Sequence, residues 1–172
     1  MRAAYAAAWC LCASLCACKP SPIAGEPAAA YQSRGGLFSC LAPARWRVVE
    51  RQGGFHLVSF FGPPDGPAPY SISLSLYYYP KTPGSPRLER YILEQRAAAR
   101  RFEPPRRWPW PGGCALRFDA WAQERQARHE TTILIPRGGG YYAWALSAPQ
   151  SDGAAAEDLL RQVIDSFRPV TN

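Results

Sequence analysis

Along residues 70–79 the chain alternates, with Ile72, Leu74, Leu76 and Tyr78 on one side and Ser71, Ser73, Ser75 and Tyr77 on the other. A period of two belongs to a strand with one face in the core and one face outward, so Tyr70–Tyr79 is predicted as a half-buried strand. Shorter apolar runs at Leu37–Leu41, Trp46–Glu50 and Phe55–Phe61 predict three strands before it, with GPPDGPAP and PKTPGSP as breakers around the alternating segment. Ser85-Pro86 offers a helix cap and a first-turn proline, and Leu88, Tyr91, Ile92, Gln95, Ala99 and Phe102 recur at helical spacing. This helix is expected to end near Phe102, because Pro104 and Pro105 exclude helical geometry just beyond it.

The segment EPPRRWPWPGG reads as a loop, after which Cys114–Trp121, Arg128–Ile135 and Tyr141–Ser147 are predicted as strands. The last two are joined through Arg137-Gly138-Gly139-Gly140, which gives an antiparallel meander. Asp152 is placed to cap a second helix whose apolar face is Leu159, Leu160, Val163, Ile164 and Phe167, stopped by Pro169. Strands interrupted by one helix and closed by another predict an α+β domain, with helices packed on the faces of an antiparallel sheet.

The first twenty residues, MRAAYAAAWCLCASLCACKP, carry one basic residue, a short apolar run and small residues leading to Cys18. That is the pattern of an export signal, and the run from Ala3 to Ala17 is shorter than the roughly 20 residues of a spanning helix. The tetrad Leu15-Cys16-Ala17-Cys18 resembles a bacterial lipobox, in which the last cysteine is lipidated and becomes the mature N-terminus. The expected organisation is a signal peptide at 1–17, a lipid anchor and flexible tether at 18–36, and one domain at 37–169. The competing reading is a soluble secreted protein cleaved after Ala28-Ala29-Ala30. Lys19 stands where lipoproteins kept at the inner membrane usually have Asp, so the outer membrane is preferred, with the domain facing the periplasm.

If the signal leaves and Cys18 takes lipid, Cys40 and Cys114 remain as an even pair in an oxidising compartment. Two readings follow, a disulfide between them or two free thiols. A catalytic cysteine is disfavoured, since neither lies in a recognisable nucleophile frame. The chain has 20 Lys plus Arg against 13 Asp plus Glu, a formal charge of +7, yet only Lys19 and Lys81 are lysine. The excess would suit an anionic partner, but export argues against nucleic acid.

The opening Phe38-x-x-x-x-Pro43-x-x-Trp46, the midchain helix and the closing Ile164-Asp165-Ser166-Phe167 resemble the PsbP/DcrB-like group. The likeness spans most of residues 37–169. It implies a three-layer α-β-α sandwich of the PsbP-like kind, found in exported lipoproteins and accessory proteins of membrane complexes. The implied role is binding or assembling a protein partner at the envelope, with no catalytic motif to carry over. Fold-level analogy transfers function poorly, so the site has to be argued from residues.

Those residues spell no catalytic frame. His56 and His129 lie in predicted strands without a second ligand at metal spacing, so no metal and no cofactor are expected. Gly84-Ser85-Pro86 reads as turn and cap, and Gly138-Gly139-Gly140 lacks the lysine of a phosphate loop. Glu157 and Asp165 are expected on the wet face of the last helix. The one local composition that suggests a site is Arg96 to Trp110, where Arg106, Arg107, Trp108 and Trp110 accompany three further arginines and one acid, Glu103. Arginines clamp carboxylate or phosphate and exposed indoles stack on ligands, whereas indoles folded inward would be a lid on the sheet edge. Two functions therefore stand: a noncatalytic envelope lipoprotein that binds a protein, or a glycan- or anionic-lipid-binding module using Tyr77-Tyr78-Tyr79, Tyr141-Tyr142 and the tryptophans.

Overall fold

The computed structural model describes residues 25–51, 53–66, 68–122 and 128–170. Ten strands and two helices follow in the order β1 (Ala28–Gln32), β2 (Phe38–Pro43), β3 (Arg47–Glu50), β4 (His56–Gly62), β5 (Ile72–Pro80), α1 (Leu88–Ala98), β6 (Arg101–Trp110), β7 (Gly113–Trp121), β8 (Arg128–Arg137), β9 (Gly140–Pro149), α2 (Gly153–Ser166) and β10 (Arg168–Pro169). Two meanders, β3-β4-β5 and β6-β7-β8-β9, join through the β5–β9 pair to form one antiparallel sheet of seven strands in the order β3-β4-β5-β9-β8-β7-β6. A small antiparallel sheet, β1-β2-β10, and helix α2 cover one face, while α1 lies on the other. This is the expected α+β sandwich with helices on both faces of the sheet.

Alternation decides which side chains meet. Ile72, Leu74 and Leu76 of β5 point into the larger core with Trp144, Leu160, Val163 and Ile164, while Tyr77 and Tyr79 turn toward α1. The aromatic residues that mark the two ends of the domain come together there: Phe38 packs 5.8 Å from Phe167, and Trp144 meets Phe167 edge-on at 5.4 Å. Full burial of such side chains contributes roughly 1.5–3 kcal/mol each. Gly62 lets Trp46 lie flat on β4, since a Cβ at that position would overlap the indole ring.

Three expectations need correction. The tether expected to end at residue 36 contains a strand, β1, paired residue by residue with β2 from Ala28↔Pro43 to Gln32↔Ser39. Its small exposed alanines carry no alternation that a sequence reading could see. Order comes from the backbone ladder and from Tyr31, whose ring packs edge-on to Phe60 at 5.1 Å. The first helix is shorter than expected. It begins at Leu88, with Arg87 rather than Ser85 at its cap, and stops at Ala98, so Phe102 belongs to the next strand. The supposed loop EPPRRWPWPGG is largely that strand, β6. Being the edge of the sheet, β6 tolerates prolines, whose missing N–H groups need no neighbour on the open side.

Candidate functional site

Strand β6 carries the arginines and tryptophans, and its register on β7 assigns their faces. Arg107 lies opposite Leu116, which packs in the α1 layer, while Trp108 lies opposite Ala115, which packs in the α2 layer. Alternation therefore sends Trp108 and Trp110 under α2 and leaves Arg107 on the other face. The ladder shifts register between Glu103 and Arg106, at Pro104-Pro105, so the outer half of β6 is offset from the inner half.

The tryptophans are core, each 7% exposed. Trp108 is sandwiched between the guanidinium groups of Arg117 and Arg161, 4.9 and 4.6 Å from its ring. The Nε1–H of Trp110 donates to the Ile164 carbonyl at 3.0 Å, tying the edge strand to the last turn of α2. Of the two readings of the indoles, stacking surface or lid, the structure matches the lid: strand register turns both rings inward. Arg106 and Arg107 are exposed, as are Arg96, Arg100 and Arg101 at the end of α1 and the start of β6. Arg106 reaches Asp119 at 3.6 Å, and Arg101 spans Glu103 at 3.0 Å and the Trp121 ring at 4.4 Å. A basic edge remains where a mixed Arg/Trp patch was expected.

Beneath this edge is a buried polar network that sequence reasoning missed. Arg117 and Asp119, each 3% exposed, form a two-pronged pair, Nε to Oδ2 and Nη2 to Oδ1, both at 3.0 Å. Arg117 also pairs with Glu157 of α2, which corrects the expectation that Glu157 sits on the wet face. Asp119 accepts from Thr131 Oγ1 at 2.6 Å and meets His129 Nε2 at 3.0 Å, and the His129 ring is stacked on Trp121 at 4.9 Å. Burial raises the Asp119 carboxyl, but its bonds to His129, Arg117 and Thr131 more than reverse this and hold it well below the usual carboxylate range. Glu157 is lowered chiefly by its hydrogen bond from Arg117. The Arg-x-Asp spacing puts both charges on one face of β7, and that was the readable signal; the partner on α2 lies 40 residues away.

Cys40 and Cys114 are free thiols on different sheets, Cys40 buried in β2 and Cys114 exposed on β7. The two sulfurs are not bonded in this arrangement, and burial pushes the Cys40 thiol up to about 12. Cys18, the expected lipidation site, lies outside the described residues.

The tyrosines offered as stacking surfaces mostly stack on one another: Tyr79 on Tyr141 at 4.9 Å, Tyr78 on Tyr142 at 4.7 Å and Tyr79 near Tyr91 of α1 at 5.3 Å. Where α1 leaves the sheet uncovered, a groove of about 290 Å³ has a chain of hydrogen bonds in its floor. His56 Nε2 lies 2.7 Å from Ser59 Oγ, which lies 2.6 Å from Ser75 Oγ, with Phe61 and Tyr77 as walls. Burial and the nearby Arg51 charge lower the His56 pKa, so its ring is a neutral polar group there. Among the described residues no cluster of three potential metal ligands occurs.

No family model matches the chain, and no curated protein does. Solved structures do share its fold. The solution structure of cyanobacterial PsbP (CyanoP) from Synechocystis sp. PCC 6803 is 15% identical, with a TM-score of 0.59 over 84% of this chain and 94% of that one. The Saccharomyces cerevisiae Ran-binding protein Mog1p is 10% identical, with a TM-score of 0.60 over 84% and 96%. LpqN of Mycobacterium tuberculosis, involved in cell envelope biogenesis, is 13% identical, with a TM-score of 0.54 over 86% and 87%. The expected resemblance to PsbP therefore holds at the level of fold.

Proposed function

We propose that this protein is a noncatalytic binding protein of the bacterial cell envelope, held at the membrane through lipid on Cys18 and acting on a protein partner with an acidic surface. The observation that carries this reading is the basic edge. Arg96, Arg100, Arg101, Arg106 and Arg107 crowd the end of α1 and the outermost strand, and only Arg101 and Arg106 have carboxylate partners among the described residues. Clustered guanidinium groups on a rigid strand attract and orient an acidic partner, and most of their effect lies in the rate of encounter and its salt dependence. The buried network beneath fixes the strand from which they project. The same fold serves a Ran-binding protein in yeast and a protein of envelope biogenesis in a mycobacterium, which agrees with a binding role.

The test is crosslinking in envelope membranes, followed by capture of the crosslinked protein at low and high salt. Arg100→Glu with Arg107→Glu should abolish capture at low salt, while Arg90→Gln on α1, whose residue pairs with Glu94, should leave it intact. Equal capture by both variants would remove the basic edge as the contact surface. A second reading, glycan binding, rests on the groove at His56, Ser59 and Ser75 between Phe61 and Tyr77. It predicts retention on immobilised oligosaccharide that Phe61→Ala removes.

A further inference from the structure

Between the two sheets, where the β1–β2 turn, the β8–β9 hairpin and the end of β10 converge, lies an open cleft of about 630 Å³. Its size is within the roughly 300–1,000 Å³ of small-molecule sites. Leu37 and Val170 stand on one side of it, 50% and 56% exposed, held together by the Val170 N–H donating to the Leu37 carbonyl at 2.9 Å. Leu57 and the paired rings of Tyr78 and Tyr142 complete the apolar wall. The rim is made of Gly35-Gly36 and Gly138-Gly139, and a Cβ at Gly36 or Gly138 would meet open space, so the mouth is wide.

One cation faces this apolar wall. Arg137 lines the cleft with its guanidinium 4.9 Å from the Trp110 ring, and Trp110 is itself fixed by its hydrogen bond to Ile164. The Arg137 Nε is buried without a hydrogen-bond partner, and no carboxylate lies within 4.0 Å of the group among the described residues. An unpaired guanidinium held against an indole, beside apolar side chains left in water, is a head-and-tail arrangement waiting for its complement. The planar fork of arginine matches carboxylate and phosphate oxygens, and a group already immobilised loses little freedom on binding them.

We propose that this cleft binds an anionic amphiphile, its acyl chain lying against Leu37, Leu57 and Val170 and its carboxylate or phosphate head on Arg137. The site is separate from the basic edge on β6 and stands or falls independently of the protein-binding reading.

The experiment titrates the purified full-length chain by calorimetry with laurate, dodecyl phosphate and dodecyltrimethylammonium, each below its micelle concentration. Both anions should bind with one-to-one stoichiometry, and the cation of equal chain length should bind at least tenfold more weakly. Arg137→Gln should weaken laurate at least tenfold, Arg137→Lys should recover part of the loss, and Arg90→Gln on α1, outside the cleft, should change nothing. Cosedimentation with phosphatidylglycerol vesicles then separates the two sources of such a head. Retention lost in Arg137→Gln assigns it to a membrane lipid, and binding of monomeric laurate without retention assigns it to a free amphiphile. Equal affinity for the cation, or laurate binding unaffected by Arg137→Gln, overturns the proposal, and the head-group series decides the matter even if a variant fails to fold.

Discussion

Arg117 and Asp119 grip each other through two parallel hydrogen bonds on the inner face of β7, two residues apart and almost wholly out of water. A pair so buried gains little over apolar packing, because removing both charges from water costs nearly what their attraction returns. Its effect is on geometry. By joining Glu157 of α2, Thr131 and His129 of β8 and Arg106 of β6, the pair sets how the helix and the edge strand sit on the sheet.

Asp119→Asn should therefore be far more damaging than its small change in volume suggests. Removing one charge leaves Arg117 buried against Trp108 with Glu157 alone to compensate, a situation that costs about 3–5 kcal/mol. For a domain of this size that is a fall in melting temperature of roughly 6–20 °C. A fall below 3 °C in differential scanning calorimetry would mean that the network is not what secures the edge strand.

The same carboxylates set the acid limit. A folded pKa held below the unfolded value, near 3.9 for aspartate, means that the unfolded chain takes up protons first as pH drops. The contribution of Asp119, aided by Glu157, is fully present above that value and is lost as pH falls through the lowered folded value. Melting temperature should decline gently once pH drops below about 6.5, where His56 protonates more readily in the unfolded chain than in the fold, and fall steeply below about pH 4 as the carboxylates take up protons. In Asp119→Asn the fall should be shallower, and an identical slope in both proteins would locate the acid sensitivity elsewhere.

Much of the fold was legible because its strands face two environments. The alternation of Ile72 to Tyr78 reports one buried and one half-covered face, and the apolar stripe of α2 reports its seat on the larger core. Strands β1 and β6 were not legible, for opposite reasons. Three alanines give β1 no contrast between faces, and six of the ten β6 residues are proline or arginine, a composition that marks loops everywhere except at a sheet edge. The candidate site was half legible. The arginines of β6 were visible as a cluster, but the inward turn of Trp108 and Trp110 depends on strand register, and the Arg137 cleft depends on two turns and the end of β10, which are distant in sequence.

The cysteines give a direct test of the two-sheet arrangement. Cys114 is exposed on β7 and should react with a thiol reagent in the native state within minutes, while Cys40, buried and with its pKa pushed up to about 12, should react only on unfolding. Protection of both, or a Cys40–Cys114 disulfide in the mass of tryptic peptides, would contradict the separation of these residues onto different sheets.

The last prediction separates the edge strand's structural residues from its contact residues. Trp108 and Trp110 are almost closed to solvent, so either Trp→Ala substitution removes a large buried ring and should cost about 3–5 kcal/mol. Trp110→Phe keeps an aromatic ring in place but gives up the hydrogen bond to Ile164, a net effect of about 1 kcal/mol, and part of the indole face under Arg137, so it should cost less than Trp110→Ala. Arg107 projects from the opposite face of the same strand, so Arg107→Glu should leave the melting temperature within about 2 °C of wild type, as surface changes do. The same change should weaken partner capture most at low salt, where exposed charges are least screened. Stability and capture should thus dissociate along one strand, position by position, with the faces that alternation assigns. If Trp108→Ala kept its stability while capture was lost, the indole would be a contact residue after all, and the inward register of β6 would be wrong.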